Sequence, residues 1–324
     1  MDGVISDRSY EAIQNVVAPS QYRAYTGTYT ALNGVYWIRL LSKELYGLIV
    51  ENLSNIGKTK VKTKKEVVEE DLVYPLVRGR DLKKWFSSME NKQYIILPHD
   101  SQTGRPIKED LFKADFPKTY NFFNSFKSLL ERRAIHNLWG KSNPYYSIYD
   151  IGDYTYKPYK VMWKEIAGKI SGKGDFSVCV VEPVDDPNLG IKCIIPDHKI
   201  FFTPTDNKDE AHYITGILNS SIANLVVSGY TVETSISAHV LQNVYIQNFN
   251  SNNRLHLEIS ELSKKAHDLA KQYHEQNNLI AQENLKKVED QIDRTVATLY
   301  QISDEELKEI KKTLYVLKGI NSDS

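Results

Sequence analysis

The sequence predicts an α+β fold, with a mixed-sheet domain over residues 1–250 followed by an amphipathic helical region over residues 251–324. Two observations lead to this prediction. Short β-rich runs alternate with segments of helical spacing through the first part of the chain, whereas apolar residues step by three and four from about residue 255 onward. A chain of 324 residues is long enough for one large or two ordinary domains.

The first predicted elements form a hairpin. A polar turn precedes a strand over residues 35–41, and residues 45–53 are its expected partner. Residues 58–65 follow, with five lysines in eight positions. This stretch is either a solvated loop or hairpin, or a basic loop that tracks a DNA backbone, and the sequence leaves both interpretations open.

Residues 74–85 combine four cations and an indole with short apolar runs, and they are the central feature of the sequence. Apolar residues before Gly79 predict a strand, and Gly79 allows a sharp turn after it. The side chains of interest are Arg78, Arg80, Lys83, Lys84 and Trp85. Guanidinium groups beside a flat ring suit phosphate, a guanine edge or an unstacked base. The alternative is a salt-bridged turn, with Arg80 on Asp81 and Trp85 as core filler.

A buried strand is expected over residues 93–98, and a helix begins at Phe116-Pro117-Lys118, because proline is tolerated in the first helical turn. Apolar side chains recur at helical spacing from Tyr120 to Leu130, and the helix ends in Arg132-Arg133. Cations at that end complement the helix terminus, and they are equally able to reach phosphate.

Residues 139–164 hold the densest interleaving of aromatic and basic side chains in the chain. Rings that alternate with cations suit base stacking and backbone tracking. Residues 160–165 alternate like a strand with one face buried, so about half of these aromatic side chains are expected to be structural.

Two β-rich runs come next, over residues 176–181 and 191–202, joined by a turn rich in proline and aspartate. A helix is predicted over residues 209–227, where Gly229 stops it, and residues 244–246 predict another short strand.

The C-terminal region shows amphipathic packing helices. Apolar residues recur at helical spacing over residues 259–273 and 285–299, and Ser303-Asp-Glu-Glu306 is a capping box that opens a last helix. The charges of these helices form their solvated face, so no chemistry is assigned to them.

Net charge is zero, but the charges are unevenly spread. Residues 58–174 carry 23 cations and 14 acids, an excess of nine positive charges. Residues 175–249 carry 3 cations and 9 acids, an excess of six negative charges. This asymmetry is typical of a nucleic-acid-binding face on a neutral protein. The alternative is that the two blocks neutralise each other across an interface.

Several catalytic classes lack their motifs. Ser142-Asn-Pro-Tyr-Tyr146 is close to the Asn-Pro-Pro-Tyr loop that holds a flipped adenine in amino-methyltransferases, but the second proline and an upstream glycine-rich loop for S-adenosylmethionine are missing. Pro196-Asp197 has no Glu-x-Lys partner, which a metal-dependent nuclease needs, and there is no P-loop or Gly-x-Ser-x-Gly elbow.

The remaining composition indicates a cytoplasmic protein without a membrane partner. Cys179 and Cys193 lie in apolar segments and are interpreted as buried thiols, and the histidines show no ligand spacing, so no zinc site is expected. No apolar run approaches the length of a bilayer span, and no signal-peptide pattern is seen.

Taken in order, these pieces resemble the C-terminal target-recognition region of adenine-specific DNA methyltransferases, including fused type IIG restriction–modification enzymes. The resemblance covers nearly the whole chain. Its motifs are Gly27-x-x-Thr30-x-x-Asn33 before a strand, Tyr74-Pro-Leu-Val-Arg-Gly-Arg-Asp81 with Trp85, Tyr94-Ile-Ile-Leu-Pro98, the helix from Phe116-Pro117-Lys118 to Arg133, Trp139, Ile217-Leu-Asn-Ser220, and Ile292-Asp-Arg-Thr-Val-Ala-Thr-Leu-Tyr300 with Ser303-Asp-Glu-Glu306. Each motif is weak, and their order makes the set fairly specific.

The resemblance implies a non-catalytic module that recognises double-stranded DNA by sequence in a restriction–modification or phage-defence system. The chain begins as though cut from a longer polypeptide. The methyltransferase or endonuclease half is therefore expected in the same polypeptide or on a partner chain. S-adenosylmethionine, and Mg²⁺ for a nuclease, would belong to that half, and no cofactor is expected in this chain.

Phosphate contacts position such a module and a few side chains at base edges give specificity. Asn33 and the turn at residues 78–81 match motif positions, as DNA contacts or as scaffold. The side chains expected to contact DNA are Asn33, Arg78, Arg80, Lys83, Lys84, Arg132, Arg133, Lys141, Tyr145, Tyr146, Lys160 and Lys164.

Two other functions stay open. One is a specificity-subunit-like protein whose C-terminal helices recruit separate catalytic subunits, although no internal repeat is seen. The other is an autonomous nuclease or methyltransferase, which predicts turnover by this chain alone.

Overall fold

The structure, a computed structural model, describes residues 11–88, 92–134, 143–165, 176–230 and 239–317. Helices and mixed sheets alternate along it, which confirms the α+β prediction. The elements of its first half are β1 (Tyr25–Thr26), α1 (Asn33–Tyr36), β2 (Trp37–Glu44), β3 (Gly47–Asn52), β4 (Lys65–Val68), β5 (Val73–Val77), β6 (Leu82–Lys83), β7 (Phe86–Ser87), β8 (Gln93–Ile96), α2 (Glu109–Asp115), α3 (Pro117–Asn124), α4 (Lys127–Glu131) and β9 (Tyr159–Lys164).

The elements of the second half are β10 (Val178–Val181), β11 (Val184–Asp186), β12 (Gly190–Lys192), β13 (Ile195–Pro196), β14 (Ile200–Thr205), α5 (Lys208–Leu218), α6 (Ser221–Tyr230), α7 (Val240–Asn243), α8 (Arg254–Gln276), α9 (Leu279–Leu299) and α10 (Asp304–Leu317). Short 3-10 turns occupy Glu70–Leu72, Gly79–Asp81 and Asp153–Tyr156.

The larger sheet has six strands in the order β13-β5-β8-β2-β3-β4. β13 pairs with β5 in parallel and the other neighbours are antiparallel, so the sheet is mixed as predicted. Its core contains the apolar residues of β2, β5 and β8 and the phenylalanines of α2 and α3. The first turn of α3 has no cap of its own, and the Glu69 carboxylate accepts its Lys118 and Thr119 amides at 3.0 and 2.8 Å.

The smaller sheet has four antiparallel strands in the order β1-β14-β9-β10. Helix α5 packs on it, α8 packs on α5, and α9 packs on α8. Trp163 of β9, Ile217 of α5, Ile259 of α8 and Ile292 of α9 are buried in one core. The predicted helical region is therefore packed on the smaller sheet, and the division at residue 250 stays a prediction.

β9 differs from the expected strand with one buried face. Val161 and Trp163 face the helices, while Met162 packs on the other side with Phe202 and Val77. Because β9 lies between two apolar layers, both of its faces are buried, and that part of the prediction is wrong.

Two predicted helices are interrupted. The helix expected over residues 209–227 ends at Leu218, because the Asn219 side chain exchanges hydrogen bonds with the Val178 backbone of β10, at 3.0 and 2.8 Å. The helix through residue 130 breaks between α3 and α4, where the Ser125 hydroxyl donates to the Phe122 carbonyl at 2.6 Å.

Two strand predictions also need correction. The first strand begins at Trp37 rather than residue 35, because residues 33–36 form the short helix α1. Residues 244–246 are not a strand. They run past the N-terminal segment, where the Tyr245 amide donates to the Val16 carbonyl at 2.8 Å. The capping box is confirmed, since Ser303 donates to Glu306 at 2.8 Å and its oxygen accepts the Glu306 amide at 3.3 Å.

Candidate nucleic-acid interface

Segment 27–33 carries the first motif of the sequence resemblance. It bonds three distant parts of the chain, at Pro196, Arg133 and Tyr149. At its start, a Cβ on Gly27 would overlap the Asp197 carbonyl oxygen, so only glycine fits there. The Thr28 hydroxyl donates to the Pro196 carbonyl at 3.0 Å. At its end, the Thr30 hydroxyl donates to the Asn33 side chain. Asn33 is half-buried and already bonded, so it acts in this structure as part of the segment's scaffold.

The turn at residues 78–81 lies beside this segment. β5 and β13 run in parallel, and the Asp197 amide donates to the Val77 carbonyl at 3.0 Å. The Asp81 carboxylate accepts the Arg78 amide at 2.9 Å, which closes the turn. A Cβ on Gly79 would lie 3.3 Å from the Lys199 carbonyl oxygen. The predicted turn is thus packed directly on residues 197–199.

Arg78 and Arg80 have different environments in this turn. The Arg78 guanidinium is half-buried, 4.9 Å above the Trp37 ring, and burial together with the Arg80 charge lowers its pKa. Arg80 is exposed, and its Nε lies 3.6 Å from Asp81. This ion pair matches the alternative interpretation of the turn, and an exposed pair at that distance leaves most of the guanidinium accessible.

A basic loop, residues 57–65, packs against Gly34, directly after segment 27–33. Its Val61 side chain is 3.0 Å from the position of a Cβ on Gly34, and the Asn52 side chain bonds the Lys62 carbonyl and the Lys64 amide at 3.2 and 2.6 Å. The loop is therefore tied to the core. Its exposed lysines are Lys58, Lys60, Lys62 and Lys65.

Arg133 is a structural residue, and its prediction as a DNA contact is wrong for this conformation. It is 6% exposed. Its guanidinium donates to the carbonyls of Thr30, Tyr145 and Ser147 at 2.7, 2.5 and 3.0 Å, and its Nε to that of Leu130 at 3.1 Å. Arg132, next to it, is exposed and remains a candidate at the edge of segment 27–33.

Three further residues that were predicted to contact DNA are buried, so that prediction is wrong for them as well. Tyr145 and Tyr146 pack in the core of the larger sheet, where the Tyr146 hydroxyl donates to the Ile107 carbonyl at 2.6 Å. Lys160 on β9 is almost fully buried and donates to the Lys157 carbonyl at 2.5 Å, and burial lowers its pKa to about 8. A buried side chain in a packed core cannot reach DNA without unfolding its surroundings.

Lys83, Lys84 and Trp85 point to the helical region instead of a ligand surface. The buried Trp85 indole donates to Glu289 of α9 at 2.8 Å, and Lys84 pairs with the same carboxylate at 2.6 Å. Lys83 is exposed, 3.4 Å from the His274 imidazole of α8. The interpretation of Trp85 as core filler is correct, and this hairpin holds α8 and α9 against the sheets.

Of the remaining predictions, Lys164 is half-exposed on β9, and Lys141 lies outside the described residues. The exposed or half-exposed candidates are thus Asn33, Arg78, Arg80, Lys83, Lys84, Arg132 and Lys164. Of these, Asn33 already bonds Thr30 and Lys84 already pairs with Glu289. In the described part of the chain, Lys157 with Asp206 is the ion pair that joins a cation of residues 58–174 to an acid of residues 175–249. Direct pairing between the two blocks therefore neutralises little of the basic excess.

Sequence reasoning missed Tyr29 and His198, and it considered Asp197 only as part of an incomplete nuclease motif. Tyr29 is exposed inside the motif of segment 27–33, and its ring centroid lies 5.3 Å from that of His198. Asp197 is buried, which raises the pKa of its carboxyl to about 6, although the Lys199 amide and Arg78 oppose the shift. Only the position of Tyr29 within the motif could have indicated it, since the contact with His198 spans most of the chain.

The described ranges contain no group of three or more His, Cys, Asp or Glu residues placed to hold a metal ion. Cys179 is buried and Cys193 half-buried, and both are free thiols. No helix within these ranges has the length and apolarity that a membrane span requires.

No protein-family model matches the chain. Over 180 residues its sequence is 24% identical to that of the type II methyltransferase M.NspV of Nostoc sp.. The aligned region covers 54% of this chain and 33% of that protein. The chain thus spans about a third of that curated relative. The similarity relates the chain to restriction–modification proteins.

Two solved structures resemble the chain. The type IIL restriction–modification enzyme MmeI, described in complex with DNA, matches 94% of this chain and 37% of that chain, with a TM-score of 0.50 and 10% identity. The type IIG restriction endonuclease BpuSI matches 92% and 33%, with a TM-score of 0.36 and 13% identity. The MmeI match shows a shared fold across nearly all of this chain.

Proposed function

We propose that this chain is the DNA target-recognition module of a restriction–modification enzyme and that it binds double-stranded DNA through the surface around segment 27–33. One observation carries the proposal. Exposed cations lie on three elements grouped around this segment. The turn at residues 78–81 packs on residues 197–199, which contact Gly27, and the Thr28 hydroxyl bonds Pro196. The basic loop packs against Gly34, directly after the segment, and Arg132 precedes Arg133, which bonds the Thr30 carbonyl. The fold shared with MmeI, which is described as bound to DNA, supports the same interpretation.

The cations would supply affinity through phosphate. Each phosphate neutralised releases counterions, so binding weakens linearly with log salt, with a slope of about −0.9 per phosphate contacted. The basic loop suits this role because its lysines are exposed while its backbone is held by Asn52. A fixed backbone limits the entropy that the loop loses on binding.

We also propose that bond-making chemistry, with S-adenosylmethionine and, for a nuclease, Mg²⁺, belongs to another part of the enzyme. The tyrosines of the incomplete methyltransferase-like loop are buried, since Tyr146 packs against Phe112 and Tyr145 packs against Tyr146. Incubating the chain with plasmid, Mg²⁺ and S-adenosylmethionine tests this directly. Methylation or cleavage by the purified chain would refute the non-catalytic role.

The decisive experiment compares two charge reversals of equal size. In Lys58→Glu with Lys60→Glu, two exposed loop lysines are reversed. In Lys286→Glu with Lys287→Glu, two exposed lysines of α9 are reversed. Binding to a 30-base-pair duplex is measured by fluorescence anisotropy at several salt concentrations. The loop variant should lower the salt slope by about 2, and the α9 variant should leave it unchanged. Equal effects, or none, would contradict the assigned surface.

A specificity-subunit-like protein is the second candidate, and one observation favours it. Leu279 and Ile280, at the start of α9, are 64% and 70% exposed, although most apolar residues of this region are buried. Exposed apolar residues at a helical hairpin tip suit protein contact. Co-purification with a methyltransferase chain that is lost in a Leu279→Ser/Ile280→Ser variant would support recruitment through this tip.

A further inference from the structure

The candidate interface also carries an aromatic pair. The rings of Tyr29 and His198 lie 5.3 Å apart with their planes inclined by 59°, and Tyr29 is 43% exposed. Large exposed rings are few in the described part of the chain, and the tyrosines that the sequence favoured for base contact, Tyr145 and Tyr146, are buried. Tyr29, next to His198, therefore presents an aromatic ring that is not packed into the core.

Both members of the pair stand on fixed backbone. The Tyr29 amide donates to the Tyr149 carbonyl at 3.2 Å, and the Tyr149 amide returns a bond to the Tyr29 carbonyl at 3.1 Å. On the other side, the carbonyl and carboxylate of Asp197 accept the amides of Ile200 and Lys199, each at 3.0 Å. Side chains presented from rigid segments hold the geometry that base recognition needs.

The backbone near Tyr29 is strained at an exposed position. Ala31 is exposed and has a φ of 55°, in the left-handed region. For a residue with a Cβ this conformation is unfavourable, because the Cβ comes too close to the following carbonyl oxygen. Strain of this kind persists where surrounding contacts impose it, and it concentrates at ligand-binding segments.

The chemistry of the pair differs from that of its neighbours. Burial, and then the Lys199 charge, lower the pKa of His198, which favours the neutral form of its imidazole. A phenol and a neutral imidazole carry no net charge, so they offer ring faces and hydrogen-bonding groups without the Coulombic attraction to phosphate that a cation has. Arg80 and Lys199, which are exposed on the packed turns beside the pair, supply the positive charge instead.

We propose that Tyr29 and His198 are specificity-determining residues that contact a base of the target DNA, while the surrounding cations contact phosphate. The inference rests on the proposed function and deepens it. It assigns sequence discrimination to two residues that are 169 positions apart in the chain and meet only in the fold.

The test separates specific from non-specific binding. Duplexes that bind the full chain are first selected from a random pool, which supplies the target sequence. Dissociation constants for this target and for a scrambled duplex are then measured over a salt series for the wild type and for Tyr29→Ala, Tyr29→Phe and His198→Ala. Tyr46→Ala is the matched control, because Tyr46 is exposed at the tip of the β2–β3 hairpin, away from the pair. Circular dichroism and melting curves verify that each variant is folded.

Tyr29→Ala and His198→Ala should each reduce the ratio of specific to non-specific affinity by about 10-fold or more, with the non-specific affinity and salt slope unchanged. Tyr29→Phe should retain more of the ratio than Tyr29→Ala, and Tyr46→Ala should retain all of it. A ratio unchanged in both alanine variants would overturn the inference and leave DNA binding intact. A wild-type chain that binds neither duplex would overturn the proposed function, and the inference with it.

Discussion

Replacing Arg133 by methionine tests whether this residue has a structural role rather than the DNA contact that the sequence predicted. The side chain is 6% exposed and makes hydrogen bonds to four carbonyls, of Leu130, Thr30, Tyr145 and Ser147. The Leu130 carbonyl also accepts the Arg133 amide, so three carbonyls depend mainly on the side chain. Leaving each buried carbonyl unpaired costs about 1–3 kcal/mol, and relaxation and water entry recover part of this. We expect Arg133→Met to lower the free energy of unfolding by about 3–5 kcal/mol.

Arg132→Met is the control, because the side chain is exposed and the same chemical change is made one position away. It should change stability by about 0.5 kcal/mol or less, and it should weaken DNA binding. Urea unfolding followed by tryptophan fluorescence measures both variants. If Arg133→Met were as stable as Arg132→Met, the assignment of Arg133 as the residue that joins Thr30 to residues 145–147 would be refuted.

Three further perturbations follow from the contacts. Glu289→Ala leaves the buried Trp85 indole N–H without its acceptor and should cost about 1–3 kcal/mol in urea unfolding, whereas Glu289→Gln keeps an acceptor and should cost less; equal losses would contradict the role of this bond. Gly27→Ala forces a Cβ into the Asp197 carbonyl and should cost about 1–3 kcal/mol, so an unchanged melting curve would rule out the close approach. Burial lowers the pKa of His99 and His267 from 6.5 to about 4 and about 3. As pH falls below 6.5 the unfolded chain takes up protons that the folded chain does not, so the free energy of unfolding is highest above pH 6.5 and decreases below it. The pKa of Asp197 is raised to about 6, so this carboxyl stabilises the folded chain as pH falls and offsets the effect of one histidine. The net effect of these three groups is a loss of about 1.4 kcal/mol of unfolding free energy per pH unit between pH 6 and 4. His267→Gln should lower the measured dependence of unfolding free energy on pH by about 1.4 kcal/mol per pH unit across this range, and an unchanged dependence would contradict the assignment.

The sequence predicted most elements because their signals are local. The hairpin of β2 and β3, the strand before Gly79, the proline-started helix α3 and the capping box at Ser303 each depend on residues within a few positions of one another. The interrupted helices were missed because the cause lies elsewhere. The Asn219 side chain bonds the Val178 backbone, a contact across 41 residues that helical periodicity does not predict.

For the candidate site, residue type predicted which side chains suit DNA but not which of them are exposed. Arg132 and Arg133 have the same chemistry and adjacent positions, yet one is at the surface and the other bonds a carbonyl 103 residues away. Tyr145 and Tyr146 were chosen for their rings and are core residues, whereas Tyr29 was passed over and is exposed.

The amino-acid sequence by itself determined the α+β class, the succession of strands and helices, and a basic stretch on an otherwise neutral chain, since these follow from local periodicity and composition. Only the tertiary structure decided which cations remain free, which rings enter the core, and that Tyr29 meets His198 beside the turn at residues 78–81. The physical reason is that burial is set by contacts between segments far apart in the chain, and desolvation of a charge or ring depends on those contacts rather than on its sequence neighbours.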